Sequence, residues 1–445
     1  MEDTIVAIST AQGVGAISII RVSGNESLKI VNEIFDRDIY SFESNTINYG
    51  HIVYEDKIID EVLLSVFLAP KTYTKEDTIE INSHGGISVT NKILEILLEK
   101  GARLAEPGEF TKRAFLNGRI DLLEAESIMD LINAKTESAR KMAITGIDGR
   151  LSNKINKLRD KALNLISNIE VNIDYPEYED IEVMTIEDIK KFSIELNDQI
   201  EKLIKDSESG KLIKEGINTV IIGRPNVGKS SLLNRLLDEN KAIVTDIPGT
   251  TRDVVEGSIR VNGILINFLD TAGIRKTDNT VEKIGVEKSL SLIDEADLVL
   301  LVLNNNEKLT KEDKELLEKT KDKKRIIVIN KYDLDKKIDF EEEAIYVSAA
   351  KNDIDSLIEK INELFKIDEI NSGDMTYISN AREISLLKKS KYLSNNLVKS
   401  LNAGIPIDMI EIDIRNIVDL LGQITGEIYD DELIDRIFKN FCLGK

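Results

Sequence analysis

The sequence predicts a multidomain protein with an α+β N-terminal module, an α-helical domain, and a mostly parallel α/β domain inserted into the helical one. Three observations predict this fold class. Short strand and helix patterns alternate in the N-terminal part of the chain. A glycine-rich loop between a β-branched run and a helical run lies near the middle. Apolar stripes at helical spacing occur on both sides of that loop.

The N-terminal module is predicted to span residues 1–118. Its patterns predict strands at 4–8, 15–22, 59–67 and 77–81 and helices at 28–35 and 87–98. The glycine pair after His84 opens the second helix; such a pair is able to bind an anion, but a tight turn is its more frequent use and is expected here. We also expect His84 to be a structural hydrogen-bonding residue, because no serine or cysteine motif accompanies it.

The helical domain is predicted in two parts, 119–213 and 373–445, on either side of an α/β domain at 214–372. Each part carries an apolar stripe with residues three and four positions apart. We expect the two stripes to pack on each other, with separate coiled-coil partners as the alternative. The stripes consist of Leu151, Ile155, Leu158, Ala162, Leu165 and Ile169, and of Ile410, Ile414, Ile417, Leu421 and Ile424.

The α/β domain begins with a phosphate-binding loop. Gly223, Gly228, Lys229 and Ser230 occupy the fixed positions of a G-x-x-x-x-G-K-[ST] motif between a strand and a helix. The backbone N–H groups of such a loop surround a phosphate, the lysine adds positive charge, and Ser230 is placed to hold Mg²⁺. The alternative is a strand–helix turn without a ligand. The predicted nucleotide contacts in this loop are Asn226, Val227, Gly228, Lys229, Ser230 and Ser231.

A second motif predicts that the nucleotide carries guanine. The buried runs 298–303 and 325–329 read as parallel strands, and the second is followed by the N-K-x-D residues Asn330, Lys331 and Asp333. The Asp333 carboxylate is able to accept from the ring N–H and the exocyclic amine of guanine, whereas adenine offers the wrong donors. Asn330 and Lys331 are expected to brace the loops. The base oxygen is expected to meet a backbone N–H from Ser348, Ala349 or Ala350.

Two switch segments lie between these motifs, and the order and spacing resemble a Ras-like GTPase. One offers a threonine for Mg²⁺ and the γ-phosphate; the other offers an aspartate and a glycine N–H. The position that carries the water-orienting glutamine in Ras-type enzymes is Ile274, which cannot bind water. The charged candidates for this task are Arg252, Arg275 and Glu282, although both arginines are equally compatible with ordinary surface charges. The switch residues are Pro248, Gly249, Thr250 and Thr251, and Asp270, Thr271, Ala272 and Gly273.

The composition limits the possible classes. The chain has 445 residues, two histidines and a net charge of −21. It has a single cysteine, so a disulfide framework and a cysteine-based zinc site are excluded. Such a charge opposes nonspecific nucleic-acid binding over the whole surface, while a local patch or a partner protein is still able to hold a nucleic acid. No targeting or membrane segment is visible, so we expect a cytoplasmic protein without membrane contact.

The chain ends in Cys442, Leu443, Gly444 and Lys445. This tail does not fit a prenylation signal, because glycine and lysine follow at the last two positions. Cys442 is expected to cap the helix from Glu432 to Phe438, which would fix the thiol in place. A fortuitous thiol is the alternative.

The whole chain closely resembles the tRNA modification GTPase family called MnmE or TrmE. The resemblance rests on the order of the domains and on three specific segments: Val6–Gly24, Pro107–Gly118 and the C-terminal tail. It implies a tetrahydrofolate-binding fold for the N-terminal module and a homodimer formed through that module. It also implies that 5-formyl- or methylene-tetrahydrofolate binds at Arg21, Glu80, Arg119 and Lys445, with Cys442 near the folate as a catalytic candidate.

For the α/β domain, the resemblance implies a potassium ion and a magnesium ion beside GTP. The potassium ligands correspond to Asn226, Thr245, Ile247 and Thr250, and the magnesium ligands to Ser230 and Thr251. Glu282 corresponds to the carboxylate that orients water, which suits the apolar residue at position 274. Asp246 lies within the same nucleotide-contacting segment.

The implied function is a potassium-stimulated GTPase that acts in tRNA modification. With a flavin- and NADH-dependent partner of the MnmG or GidA type, it would add an aminomethyl or carboxymethylaminomethyl group to carbon 5 of the wobble uridine of certain tRNAs. One rival is a ribosome-assembly GTPase of the Era type, but residues 377–445 show no GXXG loop. Another rival is a nucleotide-gated scaffold whose N-terminal module binds no ligand.

Overall fold

The computed structural model describes residues 3–11, 13–174, 186–239, 255–269, 292–373 and 376–445. The two predicted switch segments therefore lie outside the described residues. The site residues affected are Thr245, Asp246, Ile247, Pro248, Gly249, Thr250, Thr251, Asp270, Thr271, Ala272, Gly273 and Glu282, together with Arg252, Ile274 and Arg275.

The N-terminal module contains a six-stranded sheet in the order β3-β4-β5-β2-β1-β6. All neighbouring strands are antiparallel except β1 and β6, which are parallel. The four predicted strands are confirmed, and the sequence patterns missed β3 and β6. The strands are β1 (Ile5–Ile8), β2 (Ile17–Ser23), β3 (Thr46–Tyr54), β4 (Lys57–Phe67), β5 (Thr78–His84) and β6 (Arg103–Leu104).

The first two helices of this module cover one face of the sheet, and Phe110 of the third helix packs on Ile5 and Ala7 on the other face. Side chains alternate along β2, so Ile20 and Val22 are buried in the same core as helix residues, while Arg21 lies on the other face. The first helix ends at Asn32 rather than at Phe35, because Phe35 forms an isolated β-bridge with Ile52. The helices of this module are α1 (Ser27–Asn32), α2 (Ile87–Glu99) and α3 (Glu109–Leu116).

The two apolar stripes pack on each other, as predicted. Stripe residues from both segments, such as Leu165 and Ile414, are buried in one core, which overturns the alternative of separate partners. The first stripe lies on α6 and the second on α13. The helices outside the two sheets are α4 (Leu122–Asn133), α5 (Glu137–Ile147), α6 (Arg150–Asp174), α7 (Ile186–Glu215), α12 (Ala381–Asn402), α13 (Ile407–Thr425) and α14 (Asp431–Phe438).

The α/β domain contains a second six-stranded sheet, in the order β12-β11-β10-β7-β9-β8. Its strands are parallel except for the antiparallel pair β8 and β9, so the predicted mostly parallel sheet is confirmed. The strands are β7 (Ile217–Ile222), β8 (Val255–Val261), β9 (Ile264–Leu269), β10 (Leu298–Asn304), β11 (Arg325–Asn330) and β12 (Ile345–Val347). The helices are α8 (Lys229–Glu239), α9 (Lys311–Lys319), α10 (Asp355–Phe365) and α11 (Ile367–Ser372).

The chain forms two compact units. The first comprises Met1–Met129, Gly146–Ser193 and Tyr392–Lys445, and the second comprises Asp130–Thr145 and Ile194–Lys391. Ala139 and Met142, from the short segment of the second unit, are buried in the core of the second sheet. In the described part of the chain, no helix combines the length and apolar character that crossing a bilayer requires.

Candidate active site

The phosphate loop connects β7 to α8 and depends on its glycines. Gly223 and Gly228 have φ angles of +152° and +98°. A Cβ atom would lie 2.4 Å from the Val302 carbonyl oxygen at the first position and 2.2 Å from the Asn330 side chain at the second. Neither glycine is therefore replaceable without moving the loop. The Lys229 ammonium donates to the carbonyl oxygens of Gly223 and Arg224, at 2.8 and 2.9 Å, which holds its charge over the loop.

The base-recognition segment, residues 330–338, is hydrogen-bonded to Asn226 and Val227 in the middle of the phosphate loop. Asn330 Nδ2 donates to the Val227 carbonyl oxygen at 3.0 Å, and Lys331 Nζ donates to the Asn226 carbonyl oxygen at 2.7 Å. These bonds are the bracing that the sequence predicted. The contacts of the two residues with a base stay a prediction.

Asp333 lies in the turn that follows β11. The Ser348 hydroxyl donates to its Oδ1 at 2.7 Å, and this hydrogen bond holds the pKa of the Asp333 carboxyl below its ordinary value. The group therefore stays an anionic acceptor, as recognition of the guanine N–H groups requires. The backbone N–H groups of Ser348 and Ala349 donate to Asp353 O and Asn330 Oδ1. We therefore expect Ala350 to supply the N–H for the base oxygen.

Sequence reasoning missed a polar cluster beside the phosphate loop. Arg224 forms ion pairs with Glu307 and with the nearly buried Asp313, the latter with Nε 3.2 Å from Oδ2. The arginine beside it keeps the pKa of the Glu307 carboxyl below its usual range. Asp313 also completes a capping box with Thr310 at the start of α9. The only sequence signal was the arginine inside the loop motif.

Two of the predicted cation ligands lie in the described part of the loop. Asn226 has a left-handed conformation, with φ of +65°, and Ser230 lies in the first turn of α8. An amide and a hydroxyl oxygen are hard ligands that suit K⁺ and Mg²⁺. These two residues fit the implied ions. The remaining predicted ligands are outside the described residues.

A second candidate site lies on the face of the N-terminal sheet opposite to α1 and α2, beside the core that α3 forms with β1. Arg21 on β2 pairs directly with Glu80 on β5, and its Nε donates to Glu80 Oε1 at 2.9 Å. Arg21 Nη1 also donates to the carbonyl oxygen of Gly444 at 3.3 Å. Arg21 thus contacts both Glu80 and the C-terminal tail, which brings two of the predicted folate positions, Arg21 and Glu80, together beside the residue that precedes Lys445.

Two aromatic residues, which sequence reasoning missed, extend this site. The Arg21 guanidinium lies 5.8 Å from the ring centre of Tyr73 and 5.5 Å from that of Phe110. The Arg119 guanidinium lies 4.7 Å from the same Tyr73 ring. Three of the predicted folate positions, Arg21, Glu80 and Arg119, are therefore linked through one arginine–aromatic cluster. Phe110 belongs to the family-like segment after Pro107, which was the available signal.

The C-terminal tail corrects one prediction. Cys442 does not cap the last helix, because α14 ends at Phe438 with Lys439 as its C-cap. Phe441 instead folds back and packs on Phe438, with ring centres 4.9 Å apart. Cys442 follows as an exposed residue whose carbonyl oxygen accepts from the Gly108 N–H at 3.2 Å. The tail is nevertheless anchored, because Ser9 Oγ donates to the Gly444 carbonyl oxygen at 3.1 Å.

The structure shows a tight turn at the glycine pair and a hydrogen-bonding role for His84; the absence of anion binding and of catalysis there stays a prediction. A Cβ atom on Gly85 would lie 2.3 Å from the Gly15 carbonyl oxygen, so the turn is tight. His84 Nδ1 lies 2.8 Å from Asp60 Oδ1, and its backbone N–H donates to the other oxygen of the same carboxylate at 2.9 Å. This carboxylate raises the pKa of the His84 imidazole.

Comparisons with known proteins agree along the whole chain. A family model described as the GTP-binding protein TrmE N-terminus matches residues 4–119, and one described as the MnmE helical domain matches residues 122–442. The tRNA modification GTPase MnmE of Streptococcus agalactiae is 52% identical and covers 100% of this chain and 98% of that protein. The protein of the same name from Ligilactobacillus salivarius is 51% identical, with the same coverage of both chains. Among solved structures, the G domain of T. maritima FeoB is 26% identical, covers 33% of this chain and 98% of that one, and has a TM-score of 0.24.

Proposed function

The chain belongs to the MnmE family of tRNA modification GTPases, and we propose that it hydrolyses GTP to drive the modification of tRNA. The proposed reaction adds an aminomethyl or carboxymethylaminomethyl group to carbon 5 of a wobble uridine. The observation that carries this proposal is the pair of hydrogen bonds that Asn330 and Lys331 make to the backbone of the phosphate loop. It supports one guanine nucleotide that spans both segments.

GTP hydrolysis is proposed to depend on Mg²⁺ and K⁺. Ser230 would hold Mg²⁺ and Asn226 would hold K⁺, each with the switch residues predicted from the family. When bound, these ions neutralise charge that develops on the β- and γ-phosphates. Glu282 is proposed to orient the attacking water, because Ile274 offers no polar group at the usual position.

The arginine–aromatic cluster supports a folate as the carbon donor. Arg21 and Arg119 supply positive charge that suits an anionic folate, and the partly exposed Tyr73 supplies flat apolar surface for one of its rings. Glu80 supplies an acceptor for the pterin N–H groups. Lys445 and Cys442, on the anchored tail, are proposed to complete the site.

A homodimer is proposed through the exposed part of this face of the N-terminal sheet, formed by β2, β3 and β4. Ile17, Ile47, Tyr49 and Leu63 are between 46% and 68% exposed there, which is unusual for large apolar side chains on a sheet. A second copy of the same face would bury them. Because the chain carries a net charge of −21, we propose that a flavin-dependent partner of the MnmG type contacts most of the tRNA. The tRNA substrate implies a cytoplasmic location.

Nucleoside analysis of tRNA tests the proposed function. Cells that lack this protein should accumulate wobble uridine without the aminomethyl-type group, and the wild-type gene should restore the modification. A gene that carries Asp333→Ala should fail to restore it, because guanine recognition is lost. Unchanged wobble uridine in cells without the protein would refute the proposal.

The salt dependence of GTP hydrolysis tests the proposed potassium site. GTP turnover in KCl should greatly exceed turnover in NaCl at equal ionic strength, because Asn226 and the first switch are proposed to hold K⁺. Asn226→Ala should remove most of the difference, while Asn306→Ala, in the partly buried turn after β10, should keep it. Equal rates for the wild type in both salts would refute the potassium assignment but leave the folate and base assignments standing.

A further inference from the structure

Among the residues that the structure describes, Asn305, directly after β10, makes four hydrogen bonds, and all of them go to the base-recognition segment, residues 330–338. It is buried, with 3% of its surface exposed. Its backbone N–H donates to the Asn330 carbonyl oxygen at 3.0 Å, and its carbonyl oxygen accepts from the backbone N–H groups of Lys337 and Ile338 at 2.8 and 3.1 Å. Its side-chain Nδ2 donates to the Leu334 carbonyl oxygen at 3.0 Å. One residue thus contacts the segment at both ends.

Three of these bonds use the backbone of Asn305, one through its N–H group and two through its carbonyl oxygen, so any residue except proline would keep all three. Only the bond to Leu334 depends on the side chain. Its donor is the amide nitrogen, and an isosteric aspartate would place an acceptor against the carbonyl oxygen instead. The identity of residue 305 therefore affects one point of the segment, the carbonyl of Leu334.

That carbonyl belongs to the residue whose N–H closes the turn that carries Asp333. The Leu334 N–H donates to the Lys331 carbonyl oxygen at 3.0 Å, and Lys331 has a left-handed φ of +63°. Asn330 fixes the start of the turn through its bond to Val227, and Ser348 fixes the carboxylate itself. Without the Asn305 amide, the end of the turn adjacent to Asp333 loses its side-chain support.

We propose that Asn305 is a positioning residue for guanine specificity, which it exerts through the Leu334 carbonyl and the Asp333 turn. This inference rests on the proposed recognition of guanine by Asp333. A carboxylate that accepts from two N–H groups of one base must keep its position within about 0.5 Å to make both bonds well. The side chain at 305 then affects the choice of base more than the binding of phosphates.

The test compares the Kd values of GDP and IDP, because hypoxanthine lacks the exocyclic amine that guanine offers to Asp333. The full-length wild type should bind GDP about tenfold to a hundredfold more tightly than IDP, as expected for a lost hydrogen bond to a charged group. Asn305→Ala should reduce this ratio by roughly fivefold, mostly through weaker GDP binding. Asn306→Ala removes the same side chain from the next position and should leave the ratio unchanged.

The isosteric variant Asn305→Asp provides a second measurement if the alanine variant does not fold, and it should reduce the ratio at least as much. Equal losses of GDP and IDP affinity in both variants, with the ratio preserved, would overturn the inference, since they would indicate general destabilisation. Asp333→Asn distinguishes a failure of base recognition by Asp333 from a failure of the proposed role of Asn305. If it leaves the ratio of the wild type unchanged, base recognition by Asp333 fails, and the role of Asn305 fails with it. If it abolishes the ratio while the Asn305 variants keep it, only the inference fails.

Discussion

The two sheets gather their candidate site residues in different ways. In the second sheet, Gly223, Asn330 and Ser348 lie at or just after the carboxyl ends of parallel strands. Such ends meet at one edge, so short motifs along the chain assemble a site there. In the N-terminal sheet, Arg21 and Glu80 lie within antiparallel strands, and Arg21 contacts Gly444, 423 positions away in sequence.

The two sites therefore depend to different degrees on contacts between residues that are far apart in sequence. The phosphate loop is shaped by its own glycines and braced by one neighbouring segment. The N-terminal cluster needs the sheet, α3 and the anchored tail to be in place together. We therefore expect changes to the first site to act locally, and changes to the second to act through distant contacts as well.

The largest expected effect comes from Lys229→Ala, which tests whether the two sites are separable. Loss of the ammonium should weaken GTP binding by about a hundredfold, because charge-assisted bonds to phosphate are lost. Binding of formyl-tetrahydrofolate should not change. Calorimetric titration of each ligand measures both, with the exposed Lys308→Ala as the control. A parallel loss of folate binding would break the comparison, since it would indicate one coupled site.

The reciprocal change is Arg21→Ala in the N-terminal sheet. It removes the pair with Glu80, the contact with the tail and the ring contacts with Tyr73 and Phe110. Folate affinity should fall at least about tenfold, because a bond to a charged group is lost, while GTP affinity stays the same. Equilibrium dialysis gives the first value. Arg37→Ala, an exposed arginine of the same module, should retain folate; equal losses in both variants would count against a specific site at Arg21.

The same contrast explains how much the sequence predicts. The phosphate loop, the N-K-x-D segment and the strands before them were predicted from local patterns, because each motif lies beside the strand that positions it. No periodicity linked Arg21 to Glu80 or to the tail, so those positions came only from the resemblance to a family. Tyr73 and Phe110 were missed, since an isolated aromatic residue gives no signal until the fold brings the two arginines to it.

Asn305 and Cys442 show two further limits. Asn305 lies in a run of three asparagines, and only the structure indicates which one contacts the base-recognition turn. For Cys442, the predicted helix ends at the correct residue, Phe438, and begins one residue late, but its C-cap is Lys439 rather than Cys442. The burial of Phe441 against Phe438 turns the chain back, and this tertiary contact decides where the tail leaves the helix.

A smaller effect is expected from Gly444→Ala, which sharpens the claim that the tail is part of the N-terminal site. Gly444 has a φ of +81°, and a Cβ atom would lie 2.6 Å from the Ile8 carbonyl oxygen. The left-handed conformation alone costs alanine about 1 kcal/mol, and the clash displaces the tail further. Folate affinity should therefore fall roughly fivefold.

Gly404→Ala is the matched control for this change. Gly404 has a similar φ of +72°, but no atom lies within 4 Å of the position of its Cβ. It should cost similar backbone strain and leave folate affinity unchanged. If both variants bind folate as tightly as the wild type, the tail is not part of the site. The N-terminal cluster would then depend on the sheet and α3 without the tail.

The smallest expected effect concerns His84, a local pair within the otherwise long-range N-terminal sheet. The Asp60 carboxylate raises the pKa of His84 above the ordinary value of 6.5. A raised pKa in the folded state gives stability that is fully present below pH 6.5 and is lost as the pH rises through the folded value. The chain has two histidines, so NMR of ring-labelled histidine should resolve the titration of each. Asp60→Asn should return the pKa of His84 towards 6.5, whereas an unchanged titration would indicate that the pair does not persist in solution.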